Sequence, residues 1–198
     1  MKNYPDYAYF NTGLGGTIVE NIFKYVSENV SMGPATVMTG NIDIDSDSTQ
    51  PGNLNPNIRN CISGDIPRQH WINGLLDYYV REVNGELFNY DLVGWHGEVQ
   101  FLHYDGKGTG YKWHSDISAP ENNVGFRKVS LVLCLSHKED YEGGELQLIL
   151  DGRKEMDTLK LDMGDCVIFP STTLHRVRPL KSGERTTIVG WYGGPDFR

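Results

Sequence analysis

The chain has no cysteine framework. Its three cysteines, Cys61, Cys134 and Cys166, lie far apart and form no Cys-x-x-Cys pair. An odd, unpaired set suits a reducing compartment and excludes a disulfide-built scaffold. Positive charge is also scarce: 18 Lys and Arg face 26 Asp and Glu, for a net charge of -8. That argues against a standing affinity for nucleic acid or an anionic membrane, both of which need a cationic face. No stretch approaches the ~20 apolar residues of a membrane span. The opening Met1-Lys2-Asn3-Tyr4-Pro5-Asp6 is polar and lacks the apolar centre of a signal peptide. These absences together make a cytoplasmic protein the expectation. No internal repeat, low-complexity segment or linker divides the 198 residues, a length that suits one domain with a sizeable core.

Glycine and proline, by contrast, are plentiful, at 23 and 9, and favour strands and loops over long helices. Tyr7 to Phe10 reads as a short strand. A helix follows in which Ile18, Ile22, Tyr25 and Val26 share one face. Residues 31–66 are loose and polar, and within them the 41–60 segment is a candidate lid over a site. Asp43-Ile44-Asp45-Ser46-Asp47 imitates the start of a calcium loop, but Ser48 and Leu54 stand where Gly and Glu are required. Pro67 to Asn84 has the clearest helical spacing, with Trp71, Leu75, Tyr78 and Tyr79 as its core stripe and Gly85 as its stop. After Phe88 come strand-like runs at 89–94, 97–104, 129–135, 145–150, 157–161, 165–170, 173–178 and 185–192. Turn residues separate them, Glu142-Gly143-Gly144 and Lys181-Ser182-Gly183-Glu184 among them. The expectation is a mainly β fold with flanking helices: helical support and a variable loop over 1–88, and a double-stranded β-helix (jelly-roll) core over 89–198.

The residues with chemical promise fall inside that core. His114 and Asp116 are two apart, so on extended backbone both side chains project from one face. In Leu174-His175-Arg176-Val177-Arg178, alternation turns His175 and Val177 inward and the two arginines outward. Two imidazoles and a carboxylate are the ligand set of a non-haem Fe(II) centre that keeps coordination sites open. Arg185 starts the next strand, on the face of Thr187, Val189 and Trp191. An inward guanidinium needs an anion, and a carboxylate matches its planar fork. An internal pair with Asp165 or Glu145 is the alternative to a small-molecule dicarboxylate.

In four runs this chain resembles the Fe(II)/2-oxoglutarate-dependent dioxygenases, specifically the prolyl 4-hydroxylase-like branch and its bacterial PKHD-type relatives. The runs are Tyr111-Lys112-Trp113-His114-Ser115-Asp116, Tyr141-Glu142-Gly143-Gly144-Glu145-Leu146, Gly164-Asp165-Cys166-Val167-Ile168-Phe169-Pro170, and His175-Arg176-Val177 through Arg185 to Trp191. Arg185 stands where animal and plant prolyl 4-hydroxylases usually carry Lys, a lean toward the bacterial relatives. The resemblance implies that His114, Asp116 and His175 hold Fe(II) and form the catalytic centre. It implies that Arg185, with Tyr104 and Thr187 beside it, takes the distal carboxylate of 2-oxoglutarate. It further implies O2 as co-reactant and ascorbate as a reductant of the iron. The reaction it implies hydroxylates an unactivated C–H bond, in a prolyl or other peptidyl residue, releasing succinate and CO2. A free amino acid or siderophore-like metabolite remains open as substrate. Also open are a cupin-type metalloenzyme without 2-oxoglutarate and a barrel that binds without turnover. Neither nucleic acid nor membrane is expected as a partner, and the oligomeric state is unreadable.

Overall fold

A computed structural model describes residues 2–4, 6–36, 54–118, 120, 124–150 and 156–196. The elements in chain order are β1 (Lys2–Tyr4), β2 (Tyr7–Asn11), α1 (Gly16–Asn29), β3 (Gly33–Pro34), β4 (Arg59–Asn60), β5 (Ile62–Ile66), α2 (Trp71–Val83) with a π-helical turn (Asn84–Phe88), β6 (Gly94–Trp95), β7 (Val99–Asp105), β8 (Gly110–His114), β9 (Phe126–Cys134), β10 (Tyr141–Gly143), β11 (Leu146–Ile149), β12 (Met156–Leu159), β13 (Asp165–Pro170), β14 (Leu174–Val177) and β15 (Leu180–Gly194). Among the described residues the strands form two antiparallel sheets. The larger runs β1-β2-β13-β9-β15-β7-β5-β3, with β6 and β10 also on β15; the smaller runs β12-β11-β14-β8-β4. This is the mainly β double-stranded helix expected from the turn-punctuated second half.

Alternation along the central strands creates two cores. Leu131, Leu133, Ile168 and Ile188 turn outward to α1 and α2, joining Val19, Ile22, Val26, Ile72, Leu76, Val80 and Val83. Their neighbours Val132, Cys134, Val167, Phe169 and Val189 turn inward, against Leu146, Leu148 and Val177 of the smaller sheet. Burying both faces of one sheet this way requires near-continuous apolar runs, and β9 and β13 supply them.

Several expectations need correction. In α1 the buried stripe is Val19, Ile22 and Val26, while Ile18 is 38% exposed. In α2 the sheet takes the aliphatic stripe Ile72, Leu76, Val80 and Val83, leaving Trp71 and Tyr78 exposed. The two stripes are one residue apart, and slimmer side chains allow closer packing on the sheet. Pro67 precedes this helix, its carbonyl accepting from His70 N and Asn73 Nδ2. Gly85 does not end it. The π-helical turn runs on to Asn89, where φ is +51°, and Asn84 ties the end down through both side-chain bonds to Tyr90. The expected strand 89–94 shrinks to Gly94–Trp95. Strands β8 and β10 lie outside the expected set, and the expected turn 181–184 lies inside β15. There Gly183, at φ +77°, pairs with Tyr141, and an added Cβ would strike the Asp140 carbonyl. Residues 37–53, hence the calcium-like run and most of the lid candidate, are outside the described residues; 59–60 belong to the barrel wall as β4. No helix of the described residues is long and apolar enough to cross a membrane.

Candidate metal and dicarboxylate site

The two sheets bring the candidate ligands together through strand pairing. His175 on β14 is the direct cross-strand partner of His114 on β8. Asp116 lies just beyond β8, where its N–H donates to Ser171 O at 2.9 Å. The side-chain alternation expected for 114 and 116 therefore gives way to a chain end pinned against the β13–β14 turn. His114 Nε2 lies 3.6 Å from Asp116 Oδ1, and His175 Nε2 lies 3.4 Å from Asp116 Oδ2. One donor atom from each of the three falls within 4.8 Å of the others.

Each ligand is oriented from behind. His114 Nδ1 faces Lys112 O at 2.7 Å, and His175 Nδ1 faces Thr173 O at 2.9 Å. A carbonyl accepts only, so both Nδ1 atoms carry the proton and both Nε2 lone pairs point to the common centre. Ser130 Oγ donates to Asp116 Oδ2 at 2.7 Å and is linked to Ser171 Oγ at 2.9 Å; Trp191 also donates to Asp116. Partners behind metal ligands are worth about 10–100-fold in metal affinity. Ser130→Ala is accordingly expected to weaken Fe(II) or Zn(II) binding within that range while leaving the fold intact, as read by metal titration against a competing chelator. Unchanged affinity would remove Ser130 from the site.

Burial, then the neighbouring His175, hold the His114 imidazole down at about 3, so it stays neutral. Burial opposes ionisation of Asp116, but the two imidazoles, Ser130 and Trp191 outweigh it and bring the carboxyl down to about 2. Both states are those a metal ligand needs. Between about 3 and its ordinary 6.5, His114 is neutral when folded and protonated when unfolded. The stability this gives the metal-free protein is complete above pH 6.5 and lost as pH falls through that window, with a slope of at most about 1.4 kcal/mol per pH unit. Asp116 adds a smaller loss between 3.8 and about 2. Urea denaturation at several pH values should show a shallower acid slope in His114→Gln than in the wild type, and equal slopes would contradict the assignment.

Arg185 occupies the same pocket, lined also by Leu102, Tyr104, Thr187, Val189 and Trp191. It is 1% exposed, and its Nε and Nη2 atoms have no hydrogen-bond partner among the described residues. The alternative partners are engaged elsewhere: Asp165 accepts from Tyr9 and Asn11, and Glu145 faces Arg178 at 3.6 Å. Tyr104 is the cross-strand neighbour of Arg185, with the guanidinium 5.4 Å from its ring centroid. Burial pushes its phenol pKa well up, keeping the hydroxyl protonated. Thr187 Oγ1, two residues on, is likewise buried with no partner among the described residues. The Gly144 backbone closes over Arg185, so close that an added Cβ would sit 3.0 Å from Cδ. No chemistry is expected of that turn from its residues; here it leaves room for the arginine stem. Sequence reasoning also missed Ser130, whose signal was its place on an inward-alternating strand; Arg59 falls within the 41–60 lid candidate and Tyr111 opens a family-like run, but neither is singled out by the sequence as a pocket residue.

Residues 99–193 match the model of the 2OG-Fe(II) oxygenase superfamily. The matched segment is a little under half of the chain. It spans the three clustered ligands and Arg185, and the superfamily implies Fe(II) and 2-oxoglutarate as the groups they would hold. Among curated proteins the chain is similar to a PKHD-type hydroxylase of Synechococcus sp. strain CC9902, at 45% identity over 85 residues, 42% of this chain and 36% of that protein. It is also similar to one from Colwellia psychrerythraea, at 46% identity over 85 residues, 42% of this chain and 37% of that protein. The matches thus span little more than a third of these relatives. In fold, the chain resembles a Pseudomonas putida prolyl-4-hydroxylase, with a TM-score of 0.68 and 19% identity over 96% of this chain and 94% of that one. It also resembles a viral collagen prolyl hydroxylase of Paramecium Bursaria Chlorella virus-1, with a TM-score of 0.62 and 18% identity over 94% of each chain.

Proposed function

We propose that this protein is an Fe(II)- and 2-oxoglutarate-dependent dioxygenase that hydroxylates an unactivated C–H bond and releases succinate and CO2. The observation that carries the reading is the coincidence, in one pocket, of three converging ligand atoms and a buried arginine with two unpaired nitrogens. A cupin-type metalloenzyme without a dicarboxylate would have no use for that arginine. Likeness to PKHD-type and prolyl 4-hydroxylases supports a prolyl or other peptidyl residue as the target, with a free small molecule as the second reading. The net charge of -8 supports neither a nucleic-acid nor a membrane partner.

His114, Asp116 and His175 would hold the iron, leaving its other positions open. Bound there, iron and 2-oxoglutarate supply the oxidising power for C–H hydroxylation, with ascorbate as the reductant that keeps the metal ferrous. The chain's own residues position and shield. Arg185 and the protonated Tyr104 and Thr187 hydroxyls hold the distal carboxylate. Ser130 and Trp191 fix the Asp116 carboxylate, and the aliphatic wall of Leu102, Val132 and Val189 excludes water from the cosubstrate.

The test is an aerobic incubation with Fe(II), ascorbate and 2-oxoglutarate against proline-rich peptides and free metabolites. Succinate should form together with a product heavier by one oxygen atom. Isomerised or hydrolysed products without any succinate would favour the cupin-type enzyme instead.

A further inference from the structure

A second buried arginine faces the pocket and has no part in the reading above. Arg59 enters from β4 and is 9% exposed. Its guanidinium lies 5.1 Å from the Tyr111 ring centroid, and that ring stacks on His114 with 3.5 Å between centroids. Nη1 donates to Thr36 O at 2.9 Å, and Nη2 reaches Gln100 Oε1 only at 3.4 Å. Nε is buried with no partner among the described residues.

Two further observations give this arginine a task. The first is charge. Of the described side chains lining the pocket, Arg59, Arg185 and Asp116 are formally charged when both imidazoles are neutral. Two cations against one anion leave a single positive charge. A divalent iron and a dianionic keto acid cancel each other, so loading the site leaves that charge standing, and a buried unpaired charge is costly. The second is place. On β7, Tyr104 pairs with Arg185 and Gln100 pairs with Val189. Those two β7 positions are about 13 Å apart along the strand. Arg59 reaches Gln100 and lies over the Tyr111 ring, so its bonded end sits at the Gln100 end of β7, while its charge is also felt at Cys61 and Tyr104.

Resting on the reading of this pocket as a 2-oxoglutarate site, we propose that Arg59 recognises the substrate: the molecule to be hydroxylated carries a carboxylate that pairs with Arg59 as it docks beside His114. A free amino acid, or a peptide with an acidic group next to its target carbon, meets that requirement; a neutral molecule does not. A planar carboxylate suits the fork of a guanidinium, and Lys would reproduce the charge without the fork.

The test uses the full chain loaded with nickel(II), an inert stand-in for iron, and saturating 2-oxoglutarate. The probes are trifluoroacetate and trifluoroacetamide, a matched anion and neutral amide, read by fluorine NMR line broadening. The wild type should broaden the anion at least about fivefold more than the amide, a preference of the size expected for a charge-assisted bond to a small ligand. Arg59→Gln should abolish the preference and Arg59→Lys retain part of it, with 2-oxoglutarate affinity within about threefold of wild type in both. Equal broadening of the two probes by the wild type would overturn the proposal, whether or not either variant folds. So would a preference that survives in Arg59→Gln. A loss of 2-oxoglutarate affinity of about tenfold or more in Arg59→Gln would also overturn it, by assigning Arg59 to the cosubstrate's own metal-end carboxylate. Failure of the underlying reading is distinct: nickel-loaded wild type would not bind 2-oxoglutarate at all.

Discussion

Arg185→Met should unfold at a higher temperature than the wild type when no ligand is present, and should bind 2-oxoglutarate about 100-fold or more weakly. Both effects have one cause. The wild-type side chain is almost wholly buried, with Nε and Nη2 unpaired among the described residues. Replacing a poorly compensated buried ion by a similarly sized apolar side chain is often stabilising by about 1–4 kcal/mol. In a chain of this size that corresponds to a rise of several degrees. Methionine follows the arginine stem under Gly144 and leaves no charge to satisfy. The same substitution strips the distal carboxylate of its counter-ion, and truncating a buried charge pair costs about 2–5 kcal/mol of binding. Thermal denaturation with and without 2-oxoglutarate separates the two effects. If the variant is less stable without ligand and binds as the wild type does, then the arginine is a structural ion partner and not a ligand clamp.

Asp116→Ala should abolish 2-oxoglutarate-dependent succinate formation and lower metal affinity by more than about 100-fold, since losing even the partners behind ligands costs 10–100-fold. Asp116 is the only carboxylate of the clustered triad and touches both Nε2 atoms at 3.4–3.6 Å. Without it, two neutral imidazoles face a divalent cation with no compensating charge. Ser130 and Trp191 also lose their acceptor, so part of any loss of stability belongs to them. Metal titration of the variant, followed by succinate assay at saturating metal, distinguishes weak binding from lost chemistry. Wild-type succinate formation in this variant would remove Asp116 from the centre.

The alternation in β9, β13, β14 and β15 made the barrel and the inward placement of His175, Arg185 and Thr187 readable, because one period-two rule governs a strand's whole face. Helix α2 was harder: Trp71-Leu75-Tyr78-Tyr79 and Ile72-Leu76-Val80-Val83 both satisfy helical spacing, and only the sheet's demand for close contact chooses between them. Strands β8 and β10 are short and glycine-bearing, so their pairing to β14 and β15 comes from tertiary neighbours and not from local preference. Gly183 illustrates the same point, since a residue that reads as a turn serves as a bend within a long strand. Arg59 falls inside the lid candidate, but nothing in the sequence singles it out. It sits in a polar stretch without periodicity, and its burial follows from β4 crossing onto the smaller sheet beside Tyr111.

The most direct test is a crystal structure obtained anaerobically with Fe(II) and 2-oxoglutarate. The account predicts one metal ion bound by His114 Nε2, Asp116 and His175 Nε2, with the far carboxylate of 2-oxoglutarate on Arg185 and the Thr187 hydroxyl. Metal bound elsewhere, or Arg185 paired with a protein carboxylate while 2-oxoglutarate lies outside the barrel, would contradict it.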